Sequence, residues 1–304
     1  MKATRPPLVV TTCAAGKRIR GNAHARSVPQ GDQATVAAEW LQMLAGEPPA
    51  TAAERLYKGR AFATVRLAAS ICRGDLGILS AGLGFVRGDA LIPAYDLTIR
   101  SGAPGSITDR INGPFAAGAW WSAVSRGPFA ADMAACFADR PRVLLCLSRS
   151  YLAMVEGALL EFEQTTPGRL RIFGMSLDRC LPSQLRYAYM PYDARLETLG
   201  PAGTRTDFAA RALLEFVRHI SLERDAATQA NAVEQRLAPY AFPAARAQRR
   251  GDDETLRVEI RSLITAGVRG TRVLARLRAE RGWSCEQRRF AGLYKQILNE
   301  EVAS

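Results

Sequence analysis

Residues that bind metals are scarce in this sequence. Its 304 residues include only two histidines, and the six cysteines are scattered without a CxxC pair. Structural zinc sites combine closely spaced cysteine and histidine ligands, so this inventory argues against one. Reduced thiols are the expectation for unpaired cysteines. The sequence therefore predicts no metal site.

Long apolar runs are also missing. No stretch approaches the roughly 18 uncharged residues that suggest a membrane-spanning helix. Residues 1–10 contain two prolines and lack the apolar region and cleavage site of a secretory signal. We therefore expect a cytoplasmic protein with no membrane partner.

Two common catalytic signatures are absent. The phosphate-binding pattern GxxxxGK[ST] and the nucleophile-elbow pattern GxSxG do not occur. The few histidines disfavour a Ser-His-Asp hydrolase, and His219, on a predicted helix, is expected to be packed. P-loop nucleotide hydrolases and α/β-hydrolases are therefore not expected.

Basic residues are abundant and unevenly placed. Lysine and arginine number 41 against 29 acids, a formal net charge of +12. A compositional bias of the genome is one explanation, but residues 1–26 hold six basic residues and no acid, and 271–295 hold seven against two acids. Concentrated positive charge favours polyanions because binding releases counterions. The predicted DNA contacts are Arg18, Arg20, Arg272, Arg276, Arg288, Arg289 and Lys295.

Apolar and helical segments alternate as in α/β proteins. Short apolar runs predict buried strands at 8–12, 76–80, 142–147 and 170–174. Helical spacing predicts helices at 34–45, 63–72, 151–162, 206–219 and 226–237. We expect a mostly parallel sheet flanked by helices, with polar loops gathered at the carboxyl ends of its strands.

Composition divides the chain into two parts. Residues 1–238 predict the α/β domain, and residues 254–304 predict a helical basic module. Between them, 239–253 has two prolines and several arginines, which is typical of a linker.

The C-terminal module contains a pattern similar to a helix-turn-helix. Residues 271–281 predict one helix, and Ser284 with Gln287 forms a capping-box pattern that predicts the start of a second. In such a pair the second helix contacts DNA. A packing unit with a solvated basic face is the alternative.

Polar residues after the predicted strands are candidates for chemistry. Cys13 and Lys17 lie on a glycine-containing loop whose amides and ammonium would suit a phosphate. A solvent-facing Lys17 and a buried, structural Cys13 are the alternative. Asp96 is the first choice for a catalytic carboxylate. Further polar candidates, each of which would also suit a turn or cap, are Asp109, Asn112, Tyr192 and Asp193.

Several strings together resemble a known family. They are residues 8–17, LYKGRAF at 56–62, ILSAGLGF at 78–85, and residues 92–98. Over 8–160 the chain is similar to proteins distantly related to uracil-DNA glycosylases, in the YaaA-like branch associated with deazaguanine modification. Ala14 and Leu83 stand where that family has Ser and Tyr, and Ala94 is inserted in its PYD motif.

That branch includes antiphage DNA glycosylases that excise glucosylated hydroxymethylcytosine. The resemblance implies a uracil-DNA-glycosylase-like fold, double-stranded phage DNA as substrate, N-glycosidic hydrolysis without a cofactor, and an abasic product. Asp96 would stabilise the oxocarbenium-like transition state, whereas Lys17 as an attacking amine is the second mechanism. A base that is flipped out of the duplex needs polar groups that hold the nucleotide and aromatic side chains that line its pocket. The candidates for these substrate contacts are Cys13, Tyr57, Gly82, Phe85, Tyr95, Ser148, Arg149 and Tyr151.

Two other functions fit the sequence. One is a non-catalytic DNA-binding stress protein, in which the basic segments alone act. The other is an enzyme that processes nucleotides or deazaguanines, for which the C-terminal basic helices have no obvious use. The identity of the recognised base and the oligomeric state stay open, because pocket geometry is not encoded in local propensity.

Overall fold

The computed structural model describes residues 5–200, 203–243 and 249–303. The chain forms two compact units, Met1–Phe242 and Pro243–Ser304. Lys2 of the N-terminal basic segment and residues 244–248 of the predicted linker lie outside the described residues.

A mostly parallel sheet forms the centre of the first unit. The strands of this unit are β1 Leu8–Thr12, β2 Ala23–His24, β3 Thr51–Ala52, β4 Asp75–Ser80, β5 Gly84–Arg87, β6 Leu91–Ile92, β7 Tyr95–Asp96, β8 Val143–Cys146 and β9 Leu170–Phe173. Five of them form the sheet, in the order β5-β4-β1-β8-β9. Neighbours are parallel except for β5, which runs antiparallel to β4.

Helices cover both faces of this sheet. They are α1 Gln33–Ala45, α2 Ala53–Leu56, α3 Arg60–Ile71, α4 Ala117–Val124, α5 Met133–Ala138, α6 Arg149–Thr165, α7 Leu196–Leu199, α8 Phe208–His219 and α9 Ala226–Leu237. Short 3₁₀ turns lie at Ala25–Ser27, Thr108–Arg110 and Ser183–Ala188. The prediction of an α/β fold with a mostly parallel sheet flanked by helices is confirmed.

Side chains of the strands alternate between two hydrophobic cores. In β1, Leu8 and Val10 belong to the core that contains Trp40, and Val9 belongs to the core that contains Phe216. Successive side chains of a strand face opposite sides of the sheet. Burial on both sides explains the unbroken apolar run, and it leaves the residues after each strand to line a site.

The middle of the first unit differs from the predicted elements. Residues 84–87 form the edge strand β5, where no strand is predicted, because the chain turns at Gly84, with φ 76°, and returns along β4. No element is predicted at 117–138, where α4 and α5 lie. Helix α6 begins at Arg149, before the predicted start, because the Ser148 hydroxyl caps it.

The second unit has its own core. Its elements are β10 Arg249–Arg250, α10 Asp253–Thr265, α11 Thr271–Ala279, β11 Trp283–Ser284 and α12 Gln287–Ala303. The core draws apolar residues from all three helices, including Leu256, Val273 and Ile297. The capping box predicted at Ser284 is wrong, because this residue pairs with β10 as part of β11 and α12 begins at Gln287.

The described residues lack two kinds of feature. Within these ranges, no helix has both the length and the apolar character that crossing a bilayer demands. The same residues contain no group of three or more His, Cys, Asp or Glu side chains placed to hold a metal ion.

Candidate functional site

The carboxyl ends of β1, β4 and β8 meet at one edge of the sheet. The Cys13 N–H, just after β1, donates to the Leu79 carbonyl of β4 at 2.9 Å. Cys13 Sγ lies 2.9 Å from the Tyr151 hydroxyl in the first turn of α6, which follows β8. Parallel strands deliver their loops to the same edge, so residues from three chain segments are in contact here.

Three buried hydroxyl groups form a chain at this edge. The Tyr95 hydroxyl lies 2.6 Å from Ser80 Oγ and 2.9 Å from the Tyr57 hydroxyl. Ser80 Oγ also accepts the N–H groups of Gly82 and Leu83, at 3.2 and 3.0 Å. Because Ser80 ends β4, these bonds fasten the turn after the strand to the two phenols.

Burial keeps the phenols of this edge neutral. Tyr57 and Tyr95 are no more than 2% exposed. Burial, with the nearby Cys13 as a second cause, raises the pKa of both phenols. Burial likewise raises the pKa of Tyr151. These groups therefore exchange hydrogen bonds at physiological pH without becoming anions.

Lys17 lies over this aromatic surface. Its Nζ is 4.3 Å from the centre of the Tyr95 ring and 5.9 Å from that of Tyr57, the geometry of a cation–π contact. A backbone bridge between Lys17 and Tyr57 holds the loop in place. We call Cys13, Lys17, Tyr57, Ser80, Tyr95 and Tyr151 the tyrosine cluster.

The environment of Lys17 shifts its protonation. Burial lowers the pKa of the ammonium, and the charges of Cys13 and Asp96 oppose this shift. A lowered pKa makes the neutral, nucleophilic amine more abundant at a given pH. Asp96 itself follows Tyr95 in β7, and its side chain is exposed whereas that of Tyr95 is buried.

Asp96 faces a histidine across a short strand pair. β7 is parallel to β2, and Asp96 and His24 are register partners. His24 Nδ1 is 3.8 Å from Asp96 Oδ2 and makes no hydrogen bond to any described residue. The Asp96 side chain is 53% exposed. A Cβ at Gly105 would lie 2.9 Å from Asp96 Oδ1, so the carboxylate keeps this place only beside glycine.

A cleft of about 520 Å³ opens between the ends of β1 and β8. Its lining includes Cys13, Ser148, Arg149 and Arg205, and none of the described residues that line it is acidic. Helix α6, 17 residues long, begins at this cleft. A helix N-terminus with two arginines favours an anion such as phosphate. Cys13 belongs to both the cleft and the tyrosine cluster.

Two predicted base contacts are packed against other side chains. Gly82 is packed beneath the rings of Tyr95 and Trp40, and its carbonyl accepts the Trp40 indole N–H at 2.7 Å. Phe85 lies in β5, where its ring packs edge-on against Phe137 and faces a different cleft beside Asp75. Their roles here are in packing.

The other polar candidates are used locally. Asp109 accepts the Gly102 N–H at 3.2 Å, and Asp193 is paired with Arg195 at 2.7 Å. Asn112 is exposed, and the Tyr192 hydroxyl donates to Glu215. His219, expected to be packed, is exposed in the last turn of α8.

Three residues of the site have no counterpart in the sequence-based prediction. His24 is found through its pairing with Asp96, Ser80 through its contacts to the phenols, and Arg205 through the cleft. Ser80 carried a signal, since it is a polar residue that ends a buried strand. His24 and Arg205 carried none, because their positions depend on tertiary contacts.

The predicted DNA contacts differ in their partners. Arg276 is ion-paired with Glu280, and Arg289 with Asp253. Within the described part of the chain, a further set is exposed and makes no ion pair, namely Arg18, Arg20, Arg272, Arg288 and Lys295. The last three, on α11 and α12, form what we call the unpaired basic set of the second unit.

Comparison with known proteins gives this chain no family. Neither protein-family models nor curated proteins nor solved structures provide a match. The fold and the site define a class, an α/β protein whose mostly parallel sheet carries aromatic and basic side chains at its carboxyl edge. A fold of this class hosts many functions, so the chemistry of that edge decides the function.

Proposed function

We propose that this protein is a DNA glycosylase that excises a modified base, glucosylated hydroxymethylcytosine of phage DNA, as a defence against phage. The observation that carries the proposal is the placement of Lys17 over the Tyr95 ring among the hydrogen-bonded phenols of the tyrosine cluster at one edge of the sheet, with Asp96 following Tyr95 in β7. The antiphage DNA glycosylases that the sequence resembles suggest the base. The proposal includes a uracil-DNA-glycosylase-like fold for the first unit.

The arrangement supports hydrolysis of the bond between the sugar C1′ and the base nitrogen. In this reaction the C1′–N bond breaks, the base leaves with the electron pair and takes up a proton, and the water oxygen bonds to C1′ and loses one. The half-exposed Asp96 carboxylate suits two tasks, stabilising the cationic sugar and orienting the water. His24 beside it suits the transfer of a proton.

The cleft supplies a place for the DNA backbone. A base that leaves the stack brings its flanking phosphates with it. Arg149, Arg205 and the first turn of α6 would contact such a phosphate. Cys13 lies where the two parts meet.

The second unit is proposed to hold the duplex. Its unpaired basic set, Arg272, Arg288 and Lys295, is exposed on α11 and α12, as in a helix-turn-helix that places a basic helix against DNA. Phosphate contacts of this kind add affinity without reading sequence.

A second mechanism has its own support. Because burial lowers the pKa of Lys17, its amine is suited to attack C1′ directly. The C1′–N bond then breaks, the base leaves with a proton, and the sugar opens to a Schiff base on Nζ. Borohydride reduces this imine to a stable adduct, so covalent trapping separates the two mechanisms.

The test measures base release from a duplex that contains glucosylated hydroxymethylcytosine. We expect abasic sites with the wild-type chain, and a rate about 10²–10³-fold lower for Asp96→Asn if the carboxylate stabilises the transition state. Asp89→Asn, an exposed aspartate paired with Arg87, is the control and should keep the wild-type rate. Borohydride trapping lost in Lys17→Met would assign the Schiff-base mechanism.

Two results would replace the proposal. DNA binding without any abasic product would favour a non-catalytic DNA-binding protein. Turnover of free nucleotides or deazaguanines, with no activity on DNA, would favour the nucleotide-processing enzyme.

A further inference from the structure

Loops from separate parts of the chain meet around the pair of Asp96 and His24. Because β2 and β7 are parallel, the chain leaves both strands at the same end, and paired strands lie about 4.8 Å apart. At the other end, Gly21 is packed against Ala94, since a Cβ at this glycine would lie 1.7 Å from the Ala94 carbonyl oxygen. The segments that flank β2 are therefore held against those that flank β7.

Hydrogen bonds join the segment after β7 to the segment after β2. Arg110 Nη1 donates to the Arg26 carbonyl at 3.3 Å. The Gly31 N–H donates to the Arg110 carbonyl at 3.1 Å, and the Asn112 N–H donates to the Gly31 carbonyl at 2.8 Å. Arg26 is therefore fixed beside residues 110–112.

The loop that follows β7 is closed on itself and carries Arg100. The Ile107 N–H donates to the Thr98 carbonyl at 2.9 Å, which joins the two ends of the loop. Next to Arg100, the Ser101 hydroxyl donates to the Asp109 carboxylate at 3.1 Å. The backbone on both sides of Arg100 is therefore held in place.

These loops carry an excess of positive charge. Residues 18–31 contain three arginines and no acid, and residues 97–112 contain two arginines and one acid, Asp109, which is bonded to its own loop. Arg20, Arg26 and Arg100 are exposed and form no ion pair with any described residue. We call these three residues the arginine rim.

The arginine rim lies on both sides of Asp96. Arg20 precedes β2, whereas Arg26 and Arg100 follow β2 and β7. The Asp96 carboxylate, 53% exposed, lies between them, with Gly105 of the closed loop packed against it. The chain from Arg20 to Arg26 spans at most about 20 Å, which is the axial length of about six nucleotides in one strand of B-DNA. The rim therefore fits a single strand whose middle nucleotide lies at Asp96.

We propose that the arginine rim contacts the phosphates of the DNA strand that carries the target base, on both sides of the extruded nucleotide. The choice of DNA as the polyanion rests on the proposed function. A guanidinium offers paired N–H donors that match phosphate oxygens. Because the loops are already fixed by hydrogen bonds, little ordering of the backbone is needed on binding. The rim grips one strand, whereas the second unit is proposed to hold the duplex.

The experiment measures DNA affinity of the full-length chain over a series of salt concentrations. The probes are a short single-stranded oligonucleotide and a duplex of the same sequence, both without a modified base. The test variant is Arg20→Ala/Arg26→Ala/Arg100→Ala. A second variant, Arg20→Lys/Arg26→Lys/Arg100→Lys, keeps the three charges.

The control removes the same charge elsewhere on the first unit. It is Arg66→Ala/Arg179→Ala/Arg218→Ala, at three exposed arginines outside the candidate site. The control should bind both probes like the wild type.

We expect the alanine variant of the rim to bind the single strand more than about 10-fold more weakly. The slope of log K against log[salt] should become shallower by about 0.7 for each arginine on the single strand and by about 0.9 on the duplex. The lysine variant should keep the wild-type slope, because counterion release depends on the number of charges.

Three results would overturn the inference. Equal losses in the alanine variant and the control would assign DNA binding to general electrostatic attraction. An unchanged slope on the single strand would show that the rim does not contact it. A lysine variant with the shallow slope of the alanine variant would show that lost charge is not the cause.

Base release by the wild type from a duplex with glucosylated hydroxymethylcytosine separates this inference from the proposed function. The expected slopes without base release would keep the strand contact and reject the glycosylase. Base release with an unchanged slope in the alanine variant would reject the strand contact and keep the glycosylase.

Discussion

The tyrosine cluster and the basic surface of the second unit present their polar groups in opposite ways. In the cluster, Tyr57, Ser80 and Tyr95 are buried, and the hydroxyl of Tyr95 is hydrogen-bonded to the hydroxyls of the other two. On α11 and α12, Arg272 and Arg288 are exposed. A polar group in a dry interior depends on every bond it makes, whereas an exposed charge acts through water and is screened by salt.

This difference predicts different responses to change. Activity of the first unit should depend on single atoms, such as one hydroxyl or one carboxylate. The second unit should respond in proportion to the number of charges removed and to the salt concentration.

The largest expected effect is the loss of DNA affinity when the unpaired basic set is removed. The variant Arg272→Ala/Arg288→Ala/Lys295→Ala should bind duplex DNA more than about 10-fold more weakly. The slope of log K against log[salt] should become shallower by about 1 for each residue. Filter binding over a series of salt concentrations measures both quantities.

The control for this prediction carries the same change in charge. Arg66, Arg179 and Arg218 are exposed arginines of the first unit that lie outside the candidate site. Replacing these three by alanine lowers the net charge equally and should leave the slope unchanged. If the control matches the test variant, general electrostatic attraction would explain DNA binding, and the second unit would not be the contact.

A smaller effect is expected on stability when Lys17 is replaced. Burial lowers the folded-state pKa of Lys17 below its usual value of 10.5, so at neutral pH folding has to bury a charge. Between the two pKa values the unfolded chain binds more protons, and stability of the wild type rises with pH. Lys17→Met should therefore raise Tm at pH 7, by about 2–4 °C for each ~1 kcal/mol gained.

The pH dependence gives this prediction its sharpest form. The stability difference between Lys17→Met and the wild type should shrink as pH rises and vanish above 10.5, where lysine is neutral in both states. Lys58→Met, at an exposed lysine that follows Tyr57 in the same segment, should change Tm little at any pH. A lower Tm for Lys17→Met at pH 7 would show that the contact with the aromatic rings outweighs desolvation.

The fold was predictable where apolar runs were long enough to need burial on both sides. Residues 76–80 and 170–174 correspond to β4 and β9 for this reason. Strand β5 was not predictable, because its four residues begin with glycine and their sequence is typical of a turn. They pair with β4 only through tertiary contacts. The two-residue strands β2 and β7 are below the length at which periodicity is visible.

Within the site, sheet topology was a better guide to the positions of side chains than residue type was. The rule that parallel strands gather their loops predicted that the polar loops would converge at the carboxyl ends of the strands, and Cys13 after β1 and Tyr151 after β8 are in contact there. Residue type alone suggested Gly82 and Phe85 as pocket residues, and both are packed. A glycine beneath a ring and a glycine beneath a ligand give the same sequence signal.

In the second unit, a count of basic residues in the sequence does not show which arginines are already paired with a carboxylate. Arg289 contacts Asp253 at 2.6 Å and donates to the Gly251 carbonyl at 3.0 Å. Its side chain and that of Asp253 are 39% and 65% exposed. An exposed pair of this kind contributes about 0.2–1 kcal/mol, so this arginine should act in stability more than in DNA binding.

The smallest expected effect follows from this pairing. Arg289→Ala should lower the Tm for unfolding of the second unit by a few degrees at low salt. This loss of Tm should fall to near zero at about 1 M salt, where exposed charges are screened. Arg276→Ala breaks a pair, Arg276–Glu280, in which both side chains are more than half exposed, and should change Tm less. A loss for Arg289→Ala that persists at 1 M salt would assign the effect to the uncharged Gly251 carbonyl. If Arg289→Ala instead weakened DNA binding as strongly as a residue of the unpaired basic set, the ion pair would have to open on DNA, and the contrast between paired and unpaired arginines would not hold.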